Sequence, residues 1–195
     1  MSIVGQDFQG LTYDDYYNME DDGNRYELID GELYAMAAPS IRHQEILGNL
    51  FLEIRTFLKG EKKCRVFIAP VDVRLNHQKK DDTVVQPDLI VVCDPSKTED
   101  GKSVKGAPDF VVEIFSSSTR KRDIQIKLPK YKKAGVKEIW LIEPDTEMVM
   151  VFKPEYGDEN MARIYTTDEE ITLSILPELT ISTNDIFAGV VTEED

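Results

Sequence analysis

Two carboxylates stand where an acid is costly. Asp88 follows Pro87 at the head of the apolar run Leu89-Ile90-Val91-Val92, and Glu113 lies inside Phe110-Val111-Val112-Glu113-Ile114-Phe115. A carboxylate in a buried run must be paired, hydrogen-bonded or metal-bound. If the two runs are neighbouring strands, both acids converge at one end of a sheet, and two carboxylates at one point suit a hard divalent cation such as Mg²⁺. Such an ion activates water and stabilises charge on a phosphate. Lys127 supplies a third part. It falls on the stripe Ile124, Lys127, Leu128, Tyr131 of the following helix, where an ammonium would orient the water or neutralise phosphate charge. Each residue has a plainer reading beside this one: Asp88 as a strand-start residue, Glu113 and Lys127 as a structural ion pair, Lys127 alone as a surface lysine with an apolar stem.

The elements that must position these groups can be read in order. Thr12 caps a short helix over 12–20. Tyr26–Ile29 and Glu32–Met36 flank Asp30-Gly31, a hairpin signal that sets Glu27 opposite Tyr34. Ser40 is the N-cap of a helix over 41–59 with the stripe Leu47, Leu50, Phe51, Ile54, Leu58, and His43 lies one turn ahead of Leu47. Strand-like runs follow at 65–70, 71–75, 88–93 and 109–115. The last two are apolar nearly throughout, as in strands buried on both faces. The loop 94–106 carries no structural signal. Strand, helix and strand over 109–142 read as a crossover with parallel pairing. Pro129 must kink that helix or mark its start, and Gly135 ends it. Hairpins at 148–153 and 163–166 extend the sheet, and 171–187 adds short strands and a last helical turn. The fold class expected is α/β (mixed α+β): a mixed parallel and antiparallel sheet flanked by helices, in a single domain over 1–195.

Composition narrows the function. The chain carries 23 basic and 37 acidic residues, a net charge of −14, with 41% apolar residues. That acidity argues against a general, strongly basic nucleic-acid binder. One stretch runs the other way: 120–133 holds Arg120, Lys121, Arg122, Lys127, Lys130, Lys132 and Lys133 against Asp123, a local patch for a phosphate backbone. Cys64 and Cys93 form no CxxC pair and no disulfide framework. No run is long and apolar enough for a membrane helix, and the first residues lack a charged start and an apolar run. A cytoplasmic, reduced setting is expected. There is no Gly-rich phosphate loop and no HExxH pattern. Ser116 to Thr119 lack a nucleophile-elbow context and read as the turn into the helix. His77, in a polar loop, reads as solvated.

The order RYELIDGELYAM, PSIRHQ, VVQPDLIVVCD, APDFVVEIFSSST, a helix with Lys127 and Tyr131, then AGVKEIWLIEP resembles the Uma-type endonuclease family of the PD-(D/E)XK superfamily, over roughly 11–187. The resemblance implies a restriction-endonuclease-like core and a Mg²⁺- or Mn²⁺-dependent nuclease acting on DNA. It makes Asp88 and Glu113 metal ligands. The superfamily's lysine, two residues after the acid, is replaced here by Phe115, and the resemblance moves that role to Lys127. Glu27, in YELIDGEL, becomes a further metal-side or water-side carboxylate, with a cross-strand partner, Arg25 or a lysine as its other reading. His43 either contacts phosphate or tunes Glu27, or is a satisfied core histidine. The resemblance also implies a homodimer, for which the apolar C-terminal strands would serve. Two other functions stay open: a catalytically inactive dimeric interaction module of the same fold, and a hydrolase of another phosphate ester.

Overall fold

The computed structural model describes residues 10–60, 63–77, 80–153, 156 and 161–189. Expectations about the chain ends fall outside them. Helix α1 (Tyr13–Tyr17) starts at Thr12, whose N–H and hydroxyl both donate to the Asp15 carboxylate. Strands β1 (Arg25–Ile29) and β2 (Glu32–Met36) form the hairpin, with Glu27 across from Tyr34. Asp30 and Gly31 both have positive φ, 53° and 82°, as the tight hairpin turn demands. A Cβ on Gly31 would sit 2.7 Å from the backbone nitrogen of Gly10, so the close approach also needs glycine. Helix α2 (Ile41–Phe57) buries Ile46, Leu47, Leu50 and Ile54 on one stripe, and the Ser40 hydroxyl accepts from the His43 N–H.

Next come β3 (Arg65–Ile68), β4 (Asp72–Arg74), β5 (Val84–Val85), β6 (Leu89–Val92), a 3₁₀ turn at Pro95–Thr98, β7 (Ser103–Lys105) and β8 (Phe110–Ile114). The 94–106 segment was expected to be loop; β7 instead pairs parallel with β4. A three-residue strand with two polar residues gives no alternation to read. The chain continues through α3 (Arg120–Arg122), a π-helical turn at Asp123–Lys127, α4 (Leu128–Ala134), β9 (Glu138–Glu143), β10 (Met148–Phe152), β11 (Ala162–Tyr165), β12 (Glu170–Leu173), β13 (Leu176–Ser182) and α5 (Thr183–Ile186).

A mixed sheet of order β11-β10-β9-β8-β6-β3 forms the centre, with β8 and β9 parallel and the other pairs antiparallel. A second mixed sheet runs β2-β1-β5-β4-β7, and β12 pairs with β13. Two cores lie on opposite faces of the central sheet. Phe110, Val112, Leu89 and Val91 pack with α2 and with Ile171, Leu173 and Ile181 of the C-terminal hairpin. Val111, Ile90 and Val92 pack with Val73 and Val85 of the second sheet and with Leu128 and Tyr131 of α4. The apolar side chains of β12 and β13, expected to serve a dimer, are spent inside this chain.

Two further sequence expectations change. The inward stripe after β8 keeps Lys127, Leu128 and Tyr131, but Asp123 takes the place expected for Ile124. Ile124 is 36% exposed, while Asp123 and Lys127 are buried. The cause is the π turn: Leu128 N–H reaches back to Asp123 O. One extra residue in the turn rotates Asp123 inward, and it sits directly before Pro129, which cannot donate to residue 125. The second change is at the cysteines. Cys64 and Cys93 form a disulfide, contrary to the expectation of two reduced thiols. They are the pair next to Arg65 and Val92 in the antiparallel β3–β6 register, so cross-strand pairing brings together cysteines 29 residues apart.

Candidate functional site

Strand alternation sends Glu113 to the same face as Val111 and Phe115, toward α4 and the second sheet. In the β6–β8 register Leu89 pairs with Val112; one step further sets Asp88 across from Glu113. The two acids therefore meet at one end of two adjacent central strands. Asp88 is fixed from both sides: its Oδ2 accepts the Ile114 N–H at 2.7 Å, and its Oδ1 lies 3.1 Å from His43 Nε2. His43 reaches it from the first turn of α2, where the Ser40 cap sets the backbone. Its Nδ1 is buried with no hydrogen-bond partner. His43 thus contacts Asp88, not Glu27.

Glu113 is 3% exposed and Lys127 2%. The Lys127 ammonium lies 2.6 Å from Glu113 Oε1, 2.8 Å from Glu27 Oε1 and 3.7 Å from Asp123 Oδ1. Tyr131, one turn on, donates its hydroxyl to Glu113 Oε1. Glu27 enters from β1, where the Gln86 N–H donates to its Oε1 at 2.9 Å, and Arg122 Nη1 lies 3.6 Å from its Oε2. The structure thus joins Glu27, Glu113 and Lys127 directly, with Asp88 and His43 adjoining through Ile114.

Asp123, Arg122 and Tyr131 also belong to this cluster. Asp123 was read as the lone acid of a basic stretch. Only the π turn makes it an inward residue, and the one sequence signal for that turn is Pro129.

Charge in the cluster is unbalanced. Of four carboxylates, Glu27, Glu113 and Asp123 face Lys127, Glu27 also faces Arg122, and Asp88 faces His43. Burial pushes Glu113 well above the usual carboxylate range; Lys127 offsets this in part, and Asp123, Asp88 and Glu27 add to it. Burial likewise raises Asp123, against the pull of Lys127. For Lys127 burial acts downward, yet Glu113, Glu27 and Asp123 outweigh it and hold the ammonium above its ordinary value. Lys127 therefore stands in the cluster as an ammonium that donates to its carboxylate neighbours. Burial and the neighbouring Glu113 raise Tyr131, which stays a phenol.

This donor set fits a hard cation. The acids carry more negative charge than their cations balance, and desolvation makes that surplus costly. Among the described residues no three His, Cys, Asp or Glu side chains stand ready as a metal cage. Mg²⁺ needs only one or two carboxylates beside water and substrate phosphates.

The basic stretch is largely neutralised within the chain, against the expectation of an open phosphate-binding patch. Arg120 pairs with Glu143, Arg122 approaches Glu27, Lys127 is buried, and Lys130 lies 2.6 Å from Asp30. Ser116 and Thr119 cap the turn into α3 through each other's hydroxyls and backbone, as expected. No helix among the described residues is long and apolar enough to cross a membrane.

A crystal structure described as a putative nuclease belonging to DUF820, from Anabaena variabilis ATCC 29413, superposes with a TM-score of 0.76. It is 22% identical, and the alignment covers 93% of this chain and 99% of that one. At that identity the likeness establishes a shared fold. No match was found among curated proteins. The family model for Uma2, described as "putative restriction endonuclease", matches residues 13–184. With nearly the whole chain matched, and with the central sheet and its acid cluster in place, the protein belongs to the Uma2 family.

Proposed function

We propose that the protein is a divalent-metal-dependent nuclease that hydrolyses phosphodiester bonds in DNA, with Asp88 and Glu113 holding Mg²⁺ or Mn²⁺. One observation carries the reading. The β6–β8 pairing sets Asp88 across from Glu113, with an ammonium 2.6 Å from Glu113. Family membership supports it, since the family's description reads "putative restriction endonuclease".

The ion, when bound, supplies Lewis acidity toward a phosphoryl oxygen. The chain's own residues do the rest. Ile114 N–H and His43 Nε2 hold the Asp88 carboxylate in one orientation. Tyr131 and Lys127 do the same for Glu113. Lys127 keeps its proton, so its role is to donate: it orients the attacking water and offsets charge that develops on the phosphate. Glu27 positions Lys127 from the opposite side at 2.8 Å. His43 acts through Asp88 and is a positioning residue. With the basic stretch mostly paired internally, DNA affinity is weak or depends on a partner, and cutting both strands requires a homodimer.

One observation favours a second reading, a non-enzymatic interaction module. Lys127 already bridges Glu113 and Glu27, which gives those two carboxylates a cationic partner without metal. Thermal unfolding with and without Mn²⁺ separates the two. A bound ion stabilises in proportion to the logarithm of its concentration over Kd. The nuclease reading expects a rise in Tm that Asp88→Asn abolishes. No rise at millimolar Mn²⁺ supports the module.

A further inference from the structure

Beyond the acid cluster, a cleft of about 550 Å³ opens between the second sheet and α4. It falls within the size range of small-molecule sites. Asp30, on its rim, is three residues beyond Glu27, about 10 Å along the chain at strand rise.

The lining is unlike the rest of this acidic protein. Lys97, Lys105, Lys130 and Lys133 meet only Asp30 and Asp94 there, in a chain of net charge −14. Three of the ammonium groups are tethered by the fold. Lys97 Nζ donates to Ala107 O at 2.7 Å, Lys105 lies 3.1 Å from Asp100, and Lys130 lies 2.6 Å from Asp30. Lys133 has no partner among the described residues. His77 also lines the cleft, so it is not simply solvated as its loop suggested. Burial first, then Arg74 and Lys105, hold its imidazole below the ordinary value, against the opposing pull of Asp81.

One further feature selects among anions. Leu75, Ala107 and Ala134 give the same cleft an apolar wall. A bare phosphate satisfies the lysines only. A nucleotide satisfies both: phosphate for the lysines and His77, a flat base for the wall.

We propose that this cleft is a second site, distinct from the acid cluster, that binds the phosphate monoester of a nucleotide. The phosphate comes either from a free mononucleotide or from a 5′-phosphorylated strand end. The inference does not depend on the nuclease reading, because no residue of the cleft belongs to the Glu113 cluster.

Calorimetric titration of the full chain tests it with four probes: AMP, a 5′-phosphorylated dinucleotide, adenosine and inorganic phosphate. AMP or the dinucleotide binds at least about tenfold more tightly than adenosine or inorganic phosphate. The tighter of the two identifies the source of the phosphate. Lys133→Ala and His77→Gln each weaken that binding about tenfold, the scale of one lost charge-assisted contact. Lys133 is exposed and unpaired among the described residues, so its variant keeps the wild-type thermal midpoint and serves as the folded control. Three results overturn the proposal: no heat with either phosphorylated probe at millimolar concentration, equal binding of inorganic phosphate or adenosine, or affinity unchanged in Lys133→Ala.

Discussion

Replacing Lys127 with methionine keeps the stem and removes the ammonium that sits 2.6 Å from Glu113, 2.8 Å from Glu27 and 3.7 Å from Asp123. Arg122, 3.6 Å from Glu27 at its nearest, remains and does not reach Glu113. Removing one partner of a buried ion pair costs about 3–5 kcal/mol, because the other charge is left buried alone. For a chain of this length each kcal/mol moves Tm by about 2–4 °C, so Lys127→Met lowers Tm by about 6–20 °C at pH 8. The loss is pH-dependent, with a definite sign. Glu113 and Asp123 already have raised folded-state values, and losing Lys127 raises them further. The folded variant then binds more protons than its unfolded chain, so its stability climbs as pH falls through those raised values toward the ordinary carboxylate range. The deficit relative to wild type shrinks between pH 8 and pH 5. Adding Glu113→Gln removes one stranded acid and restores at least about 1 kcal/mol. Urea unfolding at both pH values measures all of this. A Lys127→Met protein within about 1 kcal/mol of wild type at pH 8, or with the same deficit at pH 5, refutes the account of the cluster as an acid-rich site held by one lysine.

Other perturbations have defined outcomes. Reduction of the Cys64–Cys93 bridge, whose cysteines are 29 residues apart, costs about 3.5 kcal/mol in the loop-entropy account; scanning calorimetry with and without reductant shows a Tm lower by about 7–14 °C. Gly31→Ala meets the Gly10 backbone and a φ of 82°, so it costs more than about 1 kcal/mol, read by chemical denaturation. Ser40→Ala removes the cap that accepts the His43 N–H and costs about 1 kcal/mol. That variant also weakens Mn²⁺-induced stabilisation if His43 positions Asp88, whereas a purely structural cap leaves the metal response unchanged.

The sequence was most legible where one local rule decides the outcome. Asp30-Gly31 dictated a tight hairpin, and with it the register that sets Glu27 opposite Tyr34. Ser40 marked the start of α2. The near-continuous apolar runs around Ile90 and Val111 marked neighbouring buried strands, which made the meeting of Asp88 and Glu113 foreseeable. Legibility failed where the deciding contact is distant or cumulative. The π turn depends on one proline and on what the rotated residues meet, so Asp123 went unseen and Ile124 was turned the wrong way. The cysteines are joined by a strand register that no local pattern encodes. The basic stretch read as an open patch because its partners Glu27, Asp30 and Glu143 come from β1, the hairpin turn and β9. His43 was read as a core histidine or as a residue contacting phosphate or tuning Glu27, yet the first turn of α2 delivers it to Asp88. The cleft near His77 was invisible for the same reason: its lysines come from the 3₁₀ turn, β7 and α4.

The most direct test is Mn²⁺-dependent nicking of supercoiled plasmid by the wild type and by Glu113→Gln, purified identically. Glu113→Gln keeps the volume of the side chain and leaves Lys127 paired with Glu27 and Asp123, so the variant folds. The account predicts nicking by the wild type that depends on Mn²⁺ and disappears in the variant. Equal nicking by both proteins, or none by the wild type under conditions where Mn²⁺ stabilises it, contradicts the assignment of Glu113 to the reaction.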